Sequence, residues 1–184
     1  MVLTYATTNK HKFAGAQRAL VATGLTIAMS DKNLHDVPEI QSNDQEAVSI
    51  DKALKYYDLL KRPLVVMDSG LFIDEMGGFP GVYTKYALDT IGIEKIIQLL
   101  RNNIRAYTQR TIAYVDGGEP QTFTLKIHGV LLKNPRGTNG RNYDKYFLSD
   151  GKNKTLAEMT DDEKAALTAP VWRDLATWLR KINK

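Results

Sequence analysis

The sequence contains no cysteine, which excludes disulfides, thiolate metal sites and cysteine nucleophiles. It also lacks any apolar run close to the roughly 20 residues that a membrane-spanning helix needs. The first ten residues have no basic start followed by a long apolar core, so we predict no signal peptide. Together these absences favour a cytoplasmic protein that is not bound to a membrane.

The net charge is also small, at +4 over 184 residues. A chain of this length fits one domain, residues 1–184, which can have two lobes. The charge suits an anionic ligand, and it suits equally an excess of surface lysine. Nucleic-acid-binding proteins usually cluster their basic residues, so we predict a small-molecule ligand and no nucleic acid. A sequence-unspecific nucleic-acid binder is the alternative, and it would leave the acids Glu39 and Asp68 unexplained.

The stretch from Leu64 to Lys85 holds the most suggestive group of residues. It begins with an apolar run that predicts a buried strand ending at Asp68. A carboxylate at the end of a buried strand is costly unless it is hydrogen-bonded, paired or bound to a metal. A glycine-rich loop, residues 77–81, separates this acid from Lys85. The combination predicts a metal and phosphate site; the alternative is a strand, a tight turn and a helix start without a ligand.

A second candidate anion site lies near the N-terminus, where a short apolar strand is followed by the polar turn 7–12 and a periodic helix. The free N–H groups and the dipole at a helix N-terminus attract anions. Thr7, Asn9 and Lys12 can add side-chain donors there. The alternative is a plain N-cap by Thr8 or Asn9 beside exposed lysines.

The next helix is predicted from a capping box, in which Asn43 is followed three residues later by Glu46. Its apolar residues recur at helical spacing until the chain reaches Pro63. Ser49 and Lys52 lie three residues apart, which places them near one another on the helix surface.

The second half of the chain predicts more sheet and a last helix. Residues 106–116 and 121–128 are rich in strand-forming side chains and flank a turn, so they predict a β-hairpin. Thr160 and Glu163 form another capping box. Pro170 suits the first turn of the last helix, whose apolar residues between 171 and 182 form one face.

Several segments, in this order along the chain, resemble the inosine triphosphate pyrophosphatase family. They are Thr7-Thr8-Asn9-Lys10-His11-Lys12, Val37-Pro38-Glu39-Ile40, Ser49-Ile50-Asp51-Lys52-Ala53, Asp68-Ser69-Gly70-Leu71, the loop from Gly77 to Tyr83, His128-Gly129, and Lys154-Thr155-Leu156-Ala157-Glu158-Met159 with Glu163-Lys164. Each motif is weak alone, whereas their shared order makes the resemblance specific.

The resemblance implies an α/β fold, in which a long twisted mixed sheet is flanked by helices in two lobes with a central nucleotide cleft. It implies hydrolysis of a nucleoside triphosphate to the monophosphate and pyrophosphate, with Mg²⁺ as cofactor and a homodimer as the assembly. The implied catalytic residues are Asp68, as the base that activates water, and Lys52. Glu39 and Asp68 are the implied metal ligands. The residues expected to bind the substrate are Thr7, Asn9, Lys12, Ser69, Lys85, Arg141, Tyr143, Asp144 and Lys164.

The chain departs from the family pattern mostly where the base would bind. The family's aromatic-Gly-aromatic-Asp segment appears here as Arg141-Asn142-Tyr143-Asp144, so we expect Tyr143 to stack on the base and Arg141 to lie flat on it. Asp144 would accept a hydrogen bond from an edge of the base or hold its own loop in place. The family's Ser-His-Arg segment, which reads the 6-oxo edge of the purine, would fall near Thr168-Ala169-Pro170, and neither its histidine nor its arginine is present there. We therefore predict a weakened preference for inosine and xanthosine triphosphates.

One further departure lies beside the chemistry, since the family usually has an acid before its key aspartate and this chain has Met67. Loss of that acid removes one possible metal partner and predicts weaker activity. The alternative function is a catalytically weak or inactive family member that binds or senses nucleotides.

Overall fold

The computed structural model describes residues 2–30, 34, 37–101, 104–140 and 142–182. Its strands are β1 (Val2–Tyr5), β2 (Thr26–Met29), β3 (Leu64–Ile73), β4 (Pro80–Gly81), β5 (Arg105–Val115), β6 (Gln121–Leu131) and β7 (Phe147–Ser149). Its α-helices are α1 (Lys10–Leu20), α2 (Gln45–Leu60), α3 (Thr84–Thr90), α4 (Ile93–Leu99) and α5 (Asp161–Ile182). The predicted α/β fold with a mixed sheet flanked by helices is confirmed.

Within the described residues the strands form one sheet in the order β2-β1-β3-β5-β6-β7, and β4 pairs with β3. β1 is parallel to both β2 and β3, with Tyr5 opposite Met29 on one side and Val65 on the other. β4 is antiparallel to β3, and β7 is antiparallel to β6. Parallel β1, β2 and β3 need crossover connections, which α1 and α2 supply.

The chain divides into two compact units, and β3, β5 and β6 each run from one unit into the other. The first unit contains the chain up to Asp68, residues 110–125 and the chain from Ala165. Two apolar clusters flank its strands. One contains side chains of α1 and α5, including Trp172, with alternate residues of β1, β3 and β5. The other contains α2 residues such as Ala53, with the intervening residues of β3 and β5. Because side chains alternate along a strand, α2 covers the sheet face opposite to α1 and α5.

The second unit contains residues 69–109 and 126–164. Its buried residues include Leu71 of β3, Ile96 of α4, Leu131 of β6 and Phe147 of β7. A short 3₁₀ helix, Asp74–Met76, precedes the predicted glycine loop, and the last two residues of that loop form β4. Gly81 has a φ of +55°, and a Cβ there would lie 3.1 Å from the Phe72 ring, so this position favours glycine.

Three local expectations were wrong. The strand does not end at Asp68, because β3 continues to Ile73. The N-cap of α2 is Asp44, whose carboxylate accepts from the N–H of Glu46, and not Asn43. Pro170 lies inside α5 and not in its first turn. The apolar side chains that follow this proline pack in the core, which holds the helix together despite the lost hydrogen bond.

The capping box at Thr160 is confirmed, since the Glu163 N–H donates to Thr160 Oγ1 at 3.2 Å and the Thr160 N–H donates to Glu163 at 2.7 Å. The predicted hairpin is confirmed as β5 and β6. No helix in the described ranges is long and apolar enough to cross a membrane.

Candidate active site

Asp68 lies on the sheet face that α2 covers. Its side chain is held from two directions: Lys52 Nζ donates to Oδ1 at 2.7 Å and Ser49 Oγ donates to Oδ2 at 3.1 Å. A third residue of α2, Gln45, donates from Nε2 to the backbone oxygen of Asp68 at 3.1 Å. Residues 45, 49 and 52 share one stripe of the helix, because positions i, i+4 and i+7 face the same way. One face of α2 therefore fixes both the backbone and the carboxylate of Asp68.

Lys52 also pairs with Glu39, so one ammonium group lies between two carboxylates. The side chains of Lys52 and Asp68 are only 14% and 18% exposed, whereas that of Glu39 is 55% exposed. Burial by itself lowers the pKa of Lys52, but the charge of Asp68 and the hydrogen bonds to Asp68 and Glu39 outweigh it and raise the pKa above its ordinary value. Lys52 is therefore a permanent cation at neutral pH and not a proton acceptor.

The N-terminal turn has a different construction. Asn9 is the N-cap of α1, and its Oδ1 accepts from the N–H groups of His11 and Lys12 at 3.0 and 3.1 Å. Thr7 Oγ1 accepts from the Asn9 N–H at 3.1 Å. The capping interpretation is thus confirmed for Asn9, and the turn orders the backbone from which Lys12 projects.

Lys12 contacts β3 just beyond the point where the pairing of β3 with β1 ends. The Val65 oxygen accepts from the Ala6 N–H just after β1, and two residues further along, the Met67 oxygen accepts from Lys12 Nζ at 3.0 Å. Burial lowers the pKa of Lys12, the charges of Lys52 and Arg110 act in the same direction, and Asp68 opposes them. Asp68, Lys52 and Arg110 therefore all lie close enough to Lys12 to act on its charge.

Met67 lies on the face of β3 opposite to the Asp68 carboxylate. Its side chain packs against the apolar cluster of α1 and α5. Because successive side chains of a strand point to opposite faces, an acid at this position would not point toward Glu39 and Lys52.

The carboxylates of the site fit a magnesium ion only if a phosphate group supplies further ligands to it. No group of three or more His, Cys, Asp or Glu side chains that could hold a metal occurs in the part of the chain that the structure describes. Mg²⁺ in proteins is commonly bound by one or two carboxylates, with water and substrate phosphates in the other positions. Glu39 and Asp68, which share Lys52, are the two carboxylates that would hold such an ion.

The remaining predicted site residues belong to the second unit, apart from Arg141, which lies outside the described residues. Ser69 follows Asp68 in β3 and points to the other face. Lys85 pairs with Asp89 at 2.6 Å and its side chain is 90% exposed. Tyr143 packs edge-on against Phe147, with ring centroids 6.4 Å apart.

Asp144 and Lys164 belong to one loop-holding cluster. Lys164 Nζ donates to the Asn139 oxygen and lies 3.9 Å from Asp144 Oδ2. The Asn139 side-chain amide in turn donates to the Met159 oxygen at 2.8 Å. Of the two interpretations of Asp144, this geometry favours the loop-holding one.

Comparison with known proteins assigns the chain to a family. Residues 3–169 match the family model described as Ham1 family. The chain belongs to the Ham1 family. It is 39% identical over 184 residues to a protein of Hyperthermus butylicus named dITP/XTP pyrophosphatase, covering 98% of this chain and 95% of the relative. A protein of the same name from Methanopyrus kandleri is 37% identical over 171 residues, covering 91% and 89%.

Solved structures of the Ham1 family share the fold. The structure of a HAM1 protein from Coxiella burnetii superposes with a TM-score of 0.82 at 24% identity, covering 98% of this chain and 99% of that one. The sequence matches therefore confirm the predicted family, and the likeness to this structure confirms the fold.

The structure of this Ham1 family member adds three polar residues that sequence reasoning did not place in the site. Gln45 and Ser49 are buried on α2, although polar residues on an amphipathic helix normally face solvent. Their spacing with Lys52 was the available signal. Arg110 lies within β5, and nothing in the sequence around it indicates a place in the site.

Thr168, Ala169 and Pro170, where the resemblance would put the base-reading motif, are part of α5. Thr168 donates its hydroxyl to the Ala165 oxygen at 3.1 Å, and Ala169 packs against the apolar cluster of α1 and α5. Trp172 is buried and packs edge-on against Tyr5, with ring centroids 5.6 Å apart, so it belongs to the helix packing of the core.

Proposed function

We propose that this Ham1 family protein hydrolyses nucleoside triphosphates to nucleoside monophosphate and pyrophosphate. The observation that carries the proposal is the Asp68 carboxylate, which is hydrogen-bonded to Lys52 and Ser49 beside the partly exposed Glu39. The names of the curated relatives, dITP/XTP pyrophosphatase, support the same reaction.

In the proposed reaction a water molecule attacks the α-phosphorus and the bond to the bridging oxygen of the β-phosphate breaks. Asp68 accepts the proton of that water, and the leaving group is pyrophosphate. Lys52, which burial and its two acid partners keep charged, and Lys12 offset the phosphate charge. Thr7 and Asn9 order the turn that presents Lys12. Glu39 and Asp68 would hold Mg²⁺, which when bound neutralises the phosphates.

Pyrophosphate release tests this proposal. We expect release from at least one of dITP, ITP, XTP, ATP, GTP, CTP and UTP in the presence of Mg²⁺. Asp68→Asn removes the proton acceptor and should lower kcat by about 10²- to 10⁴-fold. Asp58→Asn is the matched control, because this acid is exposed and pairs only with Lys61 among the ion pairs described for it. If no triphosphate is turned over, or if Asp68→Asn equals wild type, the proposal fails.

The base preference is proposed to differ from that of the named relatives. Ala169 and Pro170 have no side-chain donors, and the Thr168 hydroxyl is used within α5. A site without matching donors discriminates poorly against bases that lack the 6-oxo group. We expect kcat/KM for ITP and ATP to agree within about tenfold, whereas a site that hydrogen-bonds its substrate group rejects the analogue by about 10⁴-fold. A ratio of that size in favour of ITP would contradict this proposal.

The second candidate, a nucleotide-binding protein without turnover, is favoured by the ion pairs that engage both carboxylates through Lys52. Calorimetric binding of a triphosphate without pyrophosphate release would establish it.

A homodimer in the cytoplasm also remains a proposal. The segment around β4 and α3 exposes Phe79, Tyr83 and Tyr86, at 38%, 39% and 72% of their surfaces. Exposed aromatic side chains are common at interfaces. Sedimentation of the wild type and of Tyr86→Ser at equal concentration would test the dimer.

A further inference from the structure

A chain of hydrogen bonds connects the backbone of Asp68 to a carboxylate near the start of α2. Gln45 Nε2 donates to the Asp68 oxygen at 3.1 Å and to Thr111 Oγ1 at 3.3 Å. Thr111 Oγ1 lies 3.1 Å from Thr124 Oγ1, which donates to Glu46 Oε1 at 2.7 Å. Gln45 is 3% exposed and Thr111 is fully buried.

The direction of each bond follows from the chemistry of its ends. An ionised carboxylate only accepts, so the Thr124 hydroxyl proton goes to Glu46. The bond between the two threonines must then be donated by Thr111, whose oxygen accepts from Gln45 Nε2. All the donors consequently point one way, from Gln45 to Glu46, and each bond polarises the next. A chain with a single consistent direction holds the Gln45 amide in one orientation.

Gln45 joins two strands that carry the site. Its two Nε2 protons serve Asp68 of β3 and Thr111 of β5. The carboxylate of Asp68 is held separately, by Ser49 and Lys52. The backbone and the side chain of Asp68 thus have independent supports, both supplied by α2.

We propose that Gln45 is a positioning residue for Asp68 and that Thr111, Thr124 and Glu46 fix the Gln45 amide that does this. The proposal rests on the function proposed above, in which Asp68 accepts the proton of the attacking water. Reacting groups must be held within a fraction of an ångström, so release of the Asp68 backbone should slow the chemical step more than it weakens substrate binding.

Matched substitutions along the chain of hydrogen bonds test the positioning role of Gln45 in the full-length protein. Gln45→Met and Thr111→Val keep approximate shape and remove the hydrogen bond, and each should lower kcat by about fivefold to tenfold with KM changed less than about twofold. Thr111→Ser and Thr124→Ser keep the hydroxyl and should restore kcat to within about twofold of wild type. Thr26→Val, an exposed threonine of β2, is the control and should leave kcat unchanged. Equal kcat in wild type and Thr111→Val, or no rescue by serine, overturns the proposal.

A readout without turnover separates the two proposals. The ¹H–¹⁵N resonances of the Gln45 side-chain amide should shift in Thr111→Val and also in Thr124→Val, which does not touch Gln45 directly, and should stay in place in Thr26→Val. Unmoved resonances in Thr124→Val overturn the hydrogen-bonded chain even if the enzyme is active. If the resonances move but wild type releases no pyrophosphate, the proposed function has failed and the positioning role fails with it, while the chain itself stands.

Discussion

Removal of Lys52 should destabilise the protein far more than removal of an exposed lysine at the end of the same helix. In Lys52→Met the ammonium between Glu39 and Asp68 is lost. Asp68, at 18% exposure, would keep its charge largely out of water with only Ser49 as a side-chain partner among the hydrogen bonds described. A buried charge left without its counterion costs more than the pair contributed when intact.

The magnitude follows from the burial of the pair. Breaking a buried ion pair by removing one partner costs about 3–5 kcal/mol, and the residual exposure of 14% and 18% places this pair at the low end, about 3 kcal/mol. Glu39 is 55% exposed and adds little. For a chain of this size, about 3 kcal/mol corresponds to a fall in Tm of about 6–12 °C.

The pH dependence has a definite sign. The pKa of Lys52 is raised in the folded protein, since the charge of Asp68 and the hydrogen bonds outweigh burial, so folding favours the protonated amine. Its stabilising contribution is fully present below the unfolded-state pKa near 10.5 and is lost as the pH rises through the higher folded-state pKa. The difference in unfolding free energy between wild type and Lys52→Met should therefore be constant from about pH 7 to 9.5 and shrink above about pH 10.5.

Urea unfolding monitored by tryptophan fluorescence measures these differences. Lys61→Met is the control, because Lys61 and Asp58 form an exposed pair, 68% and 76% accessible, on the same helix end. Its loss should change the free energy of unfolding by less than about 0.5 kcal/mol. If both variants lose equal stability, or if Lys52→Met is more stable than wild type at pH 7, the argument from the buried pair is refuted.

Two further predictions concern Met67 and the glycines. Met67→Glu should raise KM more than it changes kcat. Lys12 of α1 donates to the backbone oxygen of residue 67 at 3.0 Å, and the side chain of residue 67 points to the face that α1 covers, so a carboxylate on it would compete with phosphate for Lys12. Steady-state kinetics measures both constants, and a several-fold higher kcat at unchanged KM would show that the acid acts on the chemistry. Gly137→Ala should lower the free energy of unfolding by more than about 1 kcal/mol, since the position has a φ of +83° and the new Cβ would lie 2.4 Å from the Ala157 carbonyl carbon. Gly15→Ala, in α1 with no atom within 4 Å of the Cβ, is its control and should stabilise the protein by about 0.5–1 kcal/mol, both measured by the urea unfolding described above.

Much of the fold was predictable because its signals are local. The first strand, the hairpin of β5 and β6, and the capping box at Thr160 each depend on neighbouring residues, and each was confirmed. The errors arose where distant contacts decide. β3 continues through Asp68 because α2 supplies hydrogen bonds to a polar residue in the middle of the strand. Pro170 stays inside α5 because packing of the following turns outweighs one missing bond.

Four charged residues of the candidate site were predictable from the sequence, whereas Arg110 and the polar support of Asp68 were not. The structure brings Glu39, Lys52 and Asp68 together and adds Lys12 from the N-terminal turn. Gln45 was not predicted, because its spacing with Ser49 and Lys52 is the same whether that stripe of the helix faces solvent or a strand. Its partners are separated from it by 23 and 66 residues, so no local pattern contains them.

The two faces of β3 at the site contact different helices. On one face α2 holds Asp68 with Ser49 and Lys52; on the other, α1 and α5 pack around Met67. Residues 168–170 lie in α5 and take part in none of the bonds described to Asp68. Under the function proposed above, this separation would let the chain keep the carboxylate and cations proposed for the phosphate chemistry while its base preference differs, which the comparison of ITP with ATP tests.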